Sequence, residues 1–355
     1  MGRIALVVPN NLWVCPYISN YSRILDKEGA EYEIISWNRA GKEEKGIQYN
    51  KQETTRSLIG VLWSYLKFAG FVKKTLVAGQ YERVVVFSPQ LAIFLVNFLK
   101  KHYRGRYILD YRDLSIEQKP LLGYLFKSAL RNSYANVVSS PGFLQYLPKA
   151  FEYVVSHNFN LDRVSSVSVG NMNQVTGGCV KVLTIGAIRE DRNIEVIDAL
   201  GNVDGFELQF VGKGIAAKSL EEYARNKGYK NVSFTGYYEK KEEPRIIEGC
   251  ALINIVYPLI PSHISALSNR FYNSLIFKRP MVVTKNTIQG DYAEKYGVGL
   301  VVDTCEHLGD NILDYLAHLD YTVYCENCDR LLDAFVEENQ HFENVISDFV
   351  SDSNR

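Results

Sequence analysis

The sequence carries no charge surplus of either sign. Its 355 residues hold 40 Lys+Arg against 40 Asp+Glu, a formal net charge of zero, whereas a nucleic-acid binder normally shows a basic excess. No nucleic-acid partner is expected. Long hydrophobic runs are also missing, and no uncharged apolar stretch approaches the ~20 residues of a membrane span. The opening MGRIALVVPNN lacks the longer apolar region and cleavage site of a secretory signal, so the expected location is the cytoplasm. Cysteines are few and scattered, at 15, 179, 250, 305, 325 and 328, which suits reduced thiols and excludes a disulfide framework. The lone Cys325-Glu-Asn-Cys328 has no second ligand pair for zinc and does not open a domain as a thioredoxin-like motif would. It reads as two ordinary thiols on or near a helix.

What is present is alternation. Residues 3–9 (RIALVVP) form a continuous apolar run, the mark of a strand buried on both faces. A helical pattern over 16–29, a strand over 32–37, a polar loop over 38–53 and a strand over 83–87 follow. Further strands at 107–109, 136–140 and 153–156 are separated by helical runs at 91–102 and 121–133. The stretch 164–178 is rich in Ser, Asn and Gly, as a linker is. A second series then begins: KVLTIG, ELQFVG, NVSFTG, ALINIVY, PMVVT and GLVVD. Such alternation predicts an α/β chain of two doubly wound, Rossmann-like domains. The expected boundaries are 1–163, a linker at 164–179, 180–330, and a helical segment at 331–355 that can pack back on the first domain. Ligands of such sheets bind beyond the carboxyl ends of the strands, and two facing domains bring those ends together across a cleft.

Several strand ends carry suitable chemistry. Gly186, Gly212 and Gly236 close three strands of the second series, where glycine admits a tight turn or a close backbone approach. Arg189 and Arg192 follow the first of them just before a helix. Two guanidinium groups so placed suit a diphosphate, or form a solvated pair with Glu190 and Asp191. After 251–257 comes a proline-rich loop with His263, leading to Ser268, Asn269 and Arg270. Ser268 is a plausible N-cap, and a capped helix start with free N–H groups favours an anion.

The ordered series of linker, strand–Gly–Arg loop, strand–Val-Gly-x-Gly, strand–Phe-x-Gly and NRFYNSLIFKRPMVVT resembles the C-terminal domain of GT-B glycosyltransferases. It is most similar to the large retaining family that builds bacterial capsule, O-antigen and related polysaccharides. The first strand, SPQL, LDYRDL and the linker also fall in the expected order, so the resemblance spans nearly the whole chain. It implies a GT-B fold and hexosyl transfer from a nucleoside diphosphate sugar to a glycan or lipid-linked acceptor, with retention of configuration. Arg189 and Arg192 match the residues holding the donor diphosphate. Gly236-Tyr237 matches the nucleobase loop, and Ser268–Arg270 the helix start beneath the phosphates; Gly212 and His263 complete the expected donor site. No Asp-x-Asp metal motif stands in a matching position, so neither metal nor cofactor is expected. Two positions depart from the pattern: Asn273 replaces a Glu that accepts from the ribose hydroxyls, and Lys278 replaces a Gly.

In the first domain, Asn10 and Asn11 stand where the family has its acceptor loop. Asp110 and Asp113 flank Arg112 at a strand end and are the expected catalytic carboxylates, the alternative being a structural Asp–Arg clamp. His157-Asn158 matches a hinge position and reads as structural. Residues 57–74 (SLIGVLWSYLKFAGFVKK) are apolar nearly all round. They form either a buried core helix or an interfacial helix against a membrane, with Lys67, Lys73 and Lys74 at the headgroups. Two other readings remain beside the transferase: a catalytically silent assembly subunit, favoured by Asn273 and Lys278, and a nucleotide-sugar 2-epimerase. The epimerase's Gly-Thr-Arg-Pro-Glu turn after the first strand is not matched by Val8-Pro-Asn-Asn-Leu12.

Overall fold

The computed structural model describes residues 2–52, 57–159, 178–189 and 192–352. Most of the expected linker at 164–179, up to residue 177, lies outside the described residues, as do Glu190 and Asp191. The chain divides into two compact units, Met1–Asn158 with Glu337–Arg355, and Phe159–Val336. The expected terminal segment at 331–355 is thus divided, with its larger part in the first unit.

The first unit is built on a parallel sheet of β1 (Ile4–Val8), β2 (Tyr32–Trp37), β3 (Ile47–Tyr49), β4 (Arg83–Phe87), β5 (Tyr107–Tyr111), β6 (Ala135–Val138) and β7 (Val154–Val155). The strand order is β3-β2-β1-β4-β5-β6-β7. Every residue of β1, β4 and β5 is buried, as expected of strands covered on both faces. β3 corrects the expected loop at 38–53: three residues pair with β2 at the sheet edge, too short a run to show periodicity.

Alternation of side chains divides these strands between two layers. Ile4, Leu6, Val8, Val85 and Phe87 pack with helix Ile18–Lys27 and with Phe342, Ile346 and Phe349. The helices Leu58–Ala78, Pro89–His102 and Pro120–Asn132 lie side by side, the middle one touching both neighbours and strands β4 and β5. The reversal of strand order between β1 and β4 puts them on the other face.

The second unit has β8 (Val180–Ile185), β9 (Phe206–Val211), β10 (Val232–Gly236), β11 (Leu252–Ile255), β12 (Met281–Thr284) and β13 (Gly299–Val302). Their order is β10-β9-β8-β11-β12-β13, all parallel. Here the reversal lies between β8 and β11, the place where such sheets take ligands. Helix Tyr321–Ser351 puts Tyr324, Cys328, Leu331 and Phe335 into this unit's core at helical spacing. Cys328 is fully buried there, and burial pushes its thiol up to about 12.

Lys278 shows why a glycine suits its position. Its φ is 51°, a left-handed conformation that costs a side-chain-bearing residue about 1–2 kcal/mol. The side chain is nearly buried and its ammonium pairs with Asp329, while the Lys278 carbonyl accepts from the Tyr321 hydroxyl at 2.9 Å. The ion pair offsets part of the strain, but Asp329 is 63% exposed and such pairs are worth under about 1 kcal/mol. Lys278→Ala keeps the strain and loses the pair, so it should destabilise by about 1 kcal/mol, whereas Lys278→Gly should stay near the parent. Urea unfolding of the two variants checks this; an alanine variant as stable as the glycine variant contradicts it.

Candidate functional site

At the carboxyl edge of the second sheet, the loops after β8 and β9 press backbone against backbone. A Cβ on Gly212 (φ 139°) would collide with the Gly186 carbonyl, and one on Gly214 with the Ile188 carbonyl. Hydrogen bonds run both ways between the loops, Ile188 N–H to Lys213 O at 3.2 Å and Ala216 N–H to Ile188 O at 3.2 Å. Gly212 is therefore required by loop-to-loop contact. At Gly236 a Cβ would meet nothing within 4 Å, but φ is 72°, so glycine serves the turn there. Beyond it Tyr237 is 71% exposed, with the Lys213 ammonium 5.5 Å from its ring centroid.

Arg270 holds this loop pair from within. Only 4% exposed, it donates through Nε to Ile185 O at 2.6 Å and through Nη2 to Ala187 O at 2.7 Å. Its guanidinium lies over the Tyr257 ring at 5.5 Å. These two bonds give Arg270 a positioning role on the loop after β8. Arg192 is committed in the same way, donating to Tyr257 O at 3.1 Å and Asp303 O at 2.9 Å and pairing with Glu195 at 2.9 Å. Of the expected guanidinium clamp, Arg189 is the exposed member.

Ser268 caps helix Asn269–Ile276, its hydroxyl accepting from Phe271 N–H at 3.3 Å. The same hydroxyl donates to Gln289 Oε1 at 2.7 Å, and Ser268 N–H reaches that oxygen at 3.0 Å. Asn269 opens the helix and is exposed, whereas Asn273, one turn on, is 8% exposed. Among the described residues no hydrogen bond engages the Asn273 side chain. His263 packs its ring 5.0 Å from that of Tyr257, and its Nδ1 is buried without a hydrogen-bond partner among the described residues. Such groups in a folded protein call for a ligand or ordered water.

Two supports escaped the sequence reading. Gln289, 1% exposed, anchors the Ser268 cap from the next helix. Asn254, fully buried in β11, donates to Thr184 Oγ1 and Asn193 Oδ1, both at 2.9 Å, joining β8 to the start of helix Asn193–Leu200. Neither lies in a motif; a polar residue inside the apolar run ALINIVY was the one visible signal for Asn254.

In the first unit, Asp110 ends in a closed clamp. Its Oδ1 accepts from Arg112 Nε at 2.5 Å, and its Oδ2 from Arg112 Nη2 at 2.7 Å and the Tyr21 hydroxyl at 2.6 Å. Burial, and then the Asp110 charge, hold the Tyr21 hydroxyl well above its ordinary pKa, so it stays a donor. Arg112 also reaches Ser156 Oγ at 3.2 Å and lies 4.5 Å over the Tyr17 ring. With its side chain fully buried and both oxygens engaged, Asp110 is corrected from catalytic candidate to structural clamp. Asp113 is exposed, its Oδ1 accepting from Leu114 N–H at 2.8 Å.

Asn11 is likewise drawn inward. Its amide donates to Asn38 Oδ1 and Glu44 Oε2, both at 3.0 Å, and accepts from Ala40 N–H at 2.9 Å. It fixes the 38–44 loop, and Asn10 is the more accessible of the pair. His157 is 1% exposed and meets Glu338 at 2.7 Å; burial lowers its pKa, so near neutrality it is an uncharged structural group.

No protein-family profile matches the sequence, and no curated protein matches it. Solved structures do match in shape. WaaG, a glycosyltransferase involved in lipopolysaccharide biosynthesis, aligns with a TM-score of 0.66 at 12% identity, over 99% of this chain and 100% of its own. HepE of Anabaena, in complex with UDP and glucose, gives 0.66 at 13% identity over 98% and 100%. A glycosyltransferase of Rickettsia africae gives 0.68 at 12% identity over 99% and 100%. At these identities the likeness establishes the fold: this chain has the GT-B architecture.

The geometry separates the two arginines. Arg192→Ala removes charged donors from two carbonyls and should cost roughly 1.5–3 kcal/mol of stability, read as a lower melting temperature. Arg189→Ala should weaken binding of UDP or GDP in calorimetry more than Arg192→Ala does; the reverse order rejects this division. For the carboxylates, Asp110→Ala leaves Arg112 unpaired in the core and should cost roughly 3–5 kcal/mol. Asp113→Ala, at an exposed residue, should cost less than Asp110→Ala. An Asp110→Ala protein of parental stability would rule out the clamp.

Proposed function

We propose that this protein is a glycosyltransferase that takes a sugar from a nucleoside diphosphate donor. The observation that carries this reading is two side chains around the Ser268-capped helix start, the buried His263 Nδ1 and the Asn273 amide, with no hydrogen-bond partner among the described residues. They stand on the segment following β11, next to the strand-order reversal of the second sheet. Arg189, Asn269 and the helix N–H groups supply positive potential for a diphosphate, and Gly236-Tyr237 an aromatic surface for a base. The HepE structure with UDP and glucose supports the same donor class.

In this mechanism the enzyme stabilises the charge that develops on the departing diphosphate. Arg189 and the helix start act on it directly, while Arg270 and Arg192 hold the loops in place. Transfer retains configuration and needs no metal or cofactor. Asp113 and Asn10, at strand ends of the first unit, attend the acceptor hydroxyl of a glycan or lipid-linked chain in surface polysaccharide synthesis, including capsule. The protein works in the cytoplasm, with residues 57–74 making peripheral contact with a membrane. Calorimetry with UDP and GDP, followed by a screen of nucleotide sugars for donor hydrolysis, tests the reading. Binding of neither nucleotide would favour the silent assembly subunit, and a nucleotide sugar altered without release of its diphosphate would favour the epimerase.

Asn273 permits a sharper test. A carboxylate at this position should accept from ribose hydroxyls more strongly than an amide does. Asn273→Glu should tighten UDP binding by about 1 kcal/mol, with no gain for the 2′,3′-dideoxy analogue. Weaker UDP binding by this variant would move the ribose away from Asn273.

A further inference from the structure

Beyond the carboxyl end of β5 lies a cavity of about 430 Å³, wholly within the first unit. Its walls come from the loop after β5, the start of helix Pro120–Asn132 and the turn that ends at Tyr146. That volume falls in the ~300–1,000 Å³ range of small-ligand sites. One lining residue is Glu117, only 5% exposed. Three donors converge on its Oε1: the Tyr111 hydroxyl at 2.7 Å, Ser115 N–H at 2.9 Å and Gln118 Nε2 at 3.1 Å. Burial, and then the Glu117 charge, raise the Tyr111 pKa, which keeps that hydroxyl a donor. The second oxygen, Oε2, is buried with no hydrogen-bond partner among the described residues.

A buried polar atom left open in this way calls for a ligand or an ordered water. An ionised carboxylate only accepts, so a ligand that completes Oε2 must bring a hydroxyl or an N–H. The rim of the cavity narrows the choice. Tyr124 is 73% exposed, and Lys127 stands one turn further along the same helix. Tyr146 and Lys119 also line the opening. A Cβ on Gly123 would lie 2.9 Å from the Glu117 carbonyl, so glycine lets the helix start close onto the loop. Tyrosine rings and a carboxylate suit an ammonium, but two lysines in the same rim repel one. A sugar ring fits the whole set, with hydroxyl donors at its edge, oxygens that accept from lysine, and apolar C–H faces for tyrosine.

We propose that this cavity is a subsite for one sugar ring of a glycan acceptor. A ring hydroxyl donates to Glu117 Oε2, the C–H face of the ring lies on Tyr124, and Lys119 and Lys127 donate to further ring oxygens. This deepens the acceptor side of the proposed function and rests on that reading for the role of the glycan. Asp113, which that reading assigns to the acceptor hydroxyl, precedes Glu117 on the same loop after β5.

Saturation-transfer NMR on the full chain, without a sugar donor, tests this with the methyl glycosides of glucose, galactose, mannose and glucuronic acid. At least one should take up saturation at its ring protons. Tyr124→Ala, at an exposed position, and Glu117→Gln should each weaken that binding about fivefold. Melting curves show whether Glu117→Gln keeps its hold on Tyr111; if that variant unfolds, Tyr124→Ala and Lys127→Gln carry the test. No binding by any of the glycosides would leave Oε2 to an ordered water and overturn the proposal. A signal that the variants retain would place the sugar elsewhere and overturn it too. So would preferential binding of tetramethylammonium, which would assign the tyrosine rim to a cation. Calorimetry of the parent with UDP reads the donor site separately. UDP binding without glycoside binding removes this subsite alone, and glycoside binding without UDP binding removes the donor reading alone.

Discussion

Everything at the carboxyl edge of the second sheet depends on one buried guanidinium. Arg270 gives two charged hydrogen bonds to the carbonyls of Ile185 and Ala187, at the point where β8 passes into its loop. Capture of those carbonyls fixes the loop's course. Once the course is fixed, the β9 loop must lie flush against it, and only glycine at 212 and 214 allows that. A cation in the motif can thus shape the edge of the sheet through backbone carbonyls alone.

The first unit repeats the arrangement with other residues. Arg112 is held by Asp110, stacked on Tyr17 and bonded to Ser156, so the ends of β5 and β7 are joined through one side chain. In both units buried charge is spent on architecture at the strand ends. Breaking a buried pair exposes the full desolvation penalty of the remaining charge, which makes these arginines sensitive positions whether or not they meet a substrate.

The sequence made the architecture legible because both sheets are parallel and buried, so their strands appear as apolar runs such as RVVVF and ALINIVY. β3 was missed because three edge residues carry no period. The site was legible in its glycines and its capping serine, whose requirements are local. The division of labour among the arginines was not. Arg189 and Arg192 are indistinguishable in sequence, and what separates them is the position of two carbonyls, 65 and 111 residues away. Asp110 and Asp113 differ in the same way, since Tyr21, 89 residues before Asp110, decides which is enclosed. Gln289 and Asn254 act through similarly distant partners.

Helix Tyr321–Ser351 has a consequence for the order in which the protein can be made. Phe342, Ile346, Phe349 and Val350 belong to the core that also contains Ile4, Leu6 and Tyr21. A ribosome therefore releases the segment up to Asn158 as an unfinished layer, with apolar side chains awaiting a partner that is translated only after the whole second unit. The second unit, continuous from Phe159 to Val336, has no such debt and can close as it emerges. The first unit is thus completed only after the second has been made, and until then one face of its sheet lacks its cover.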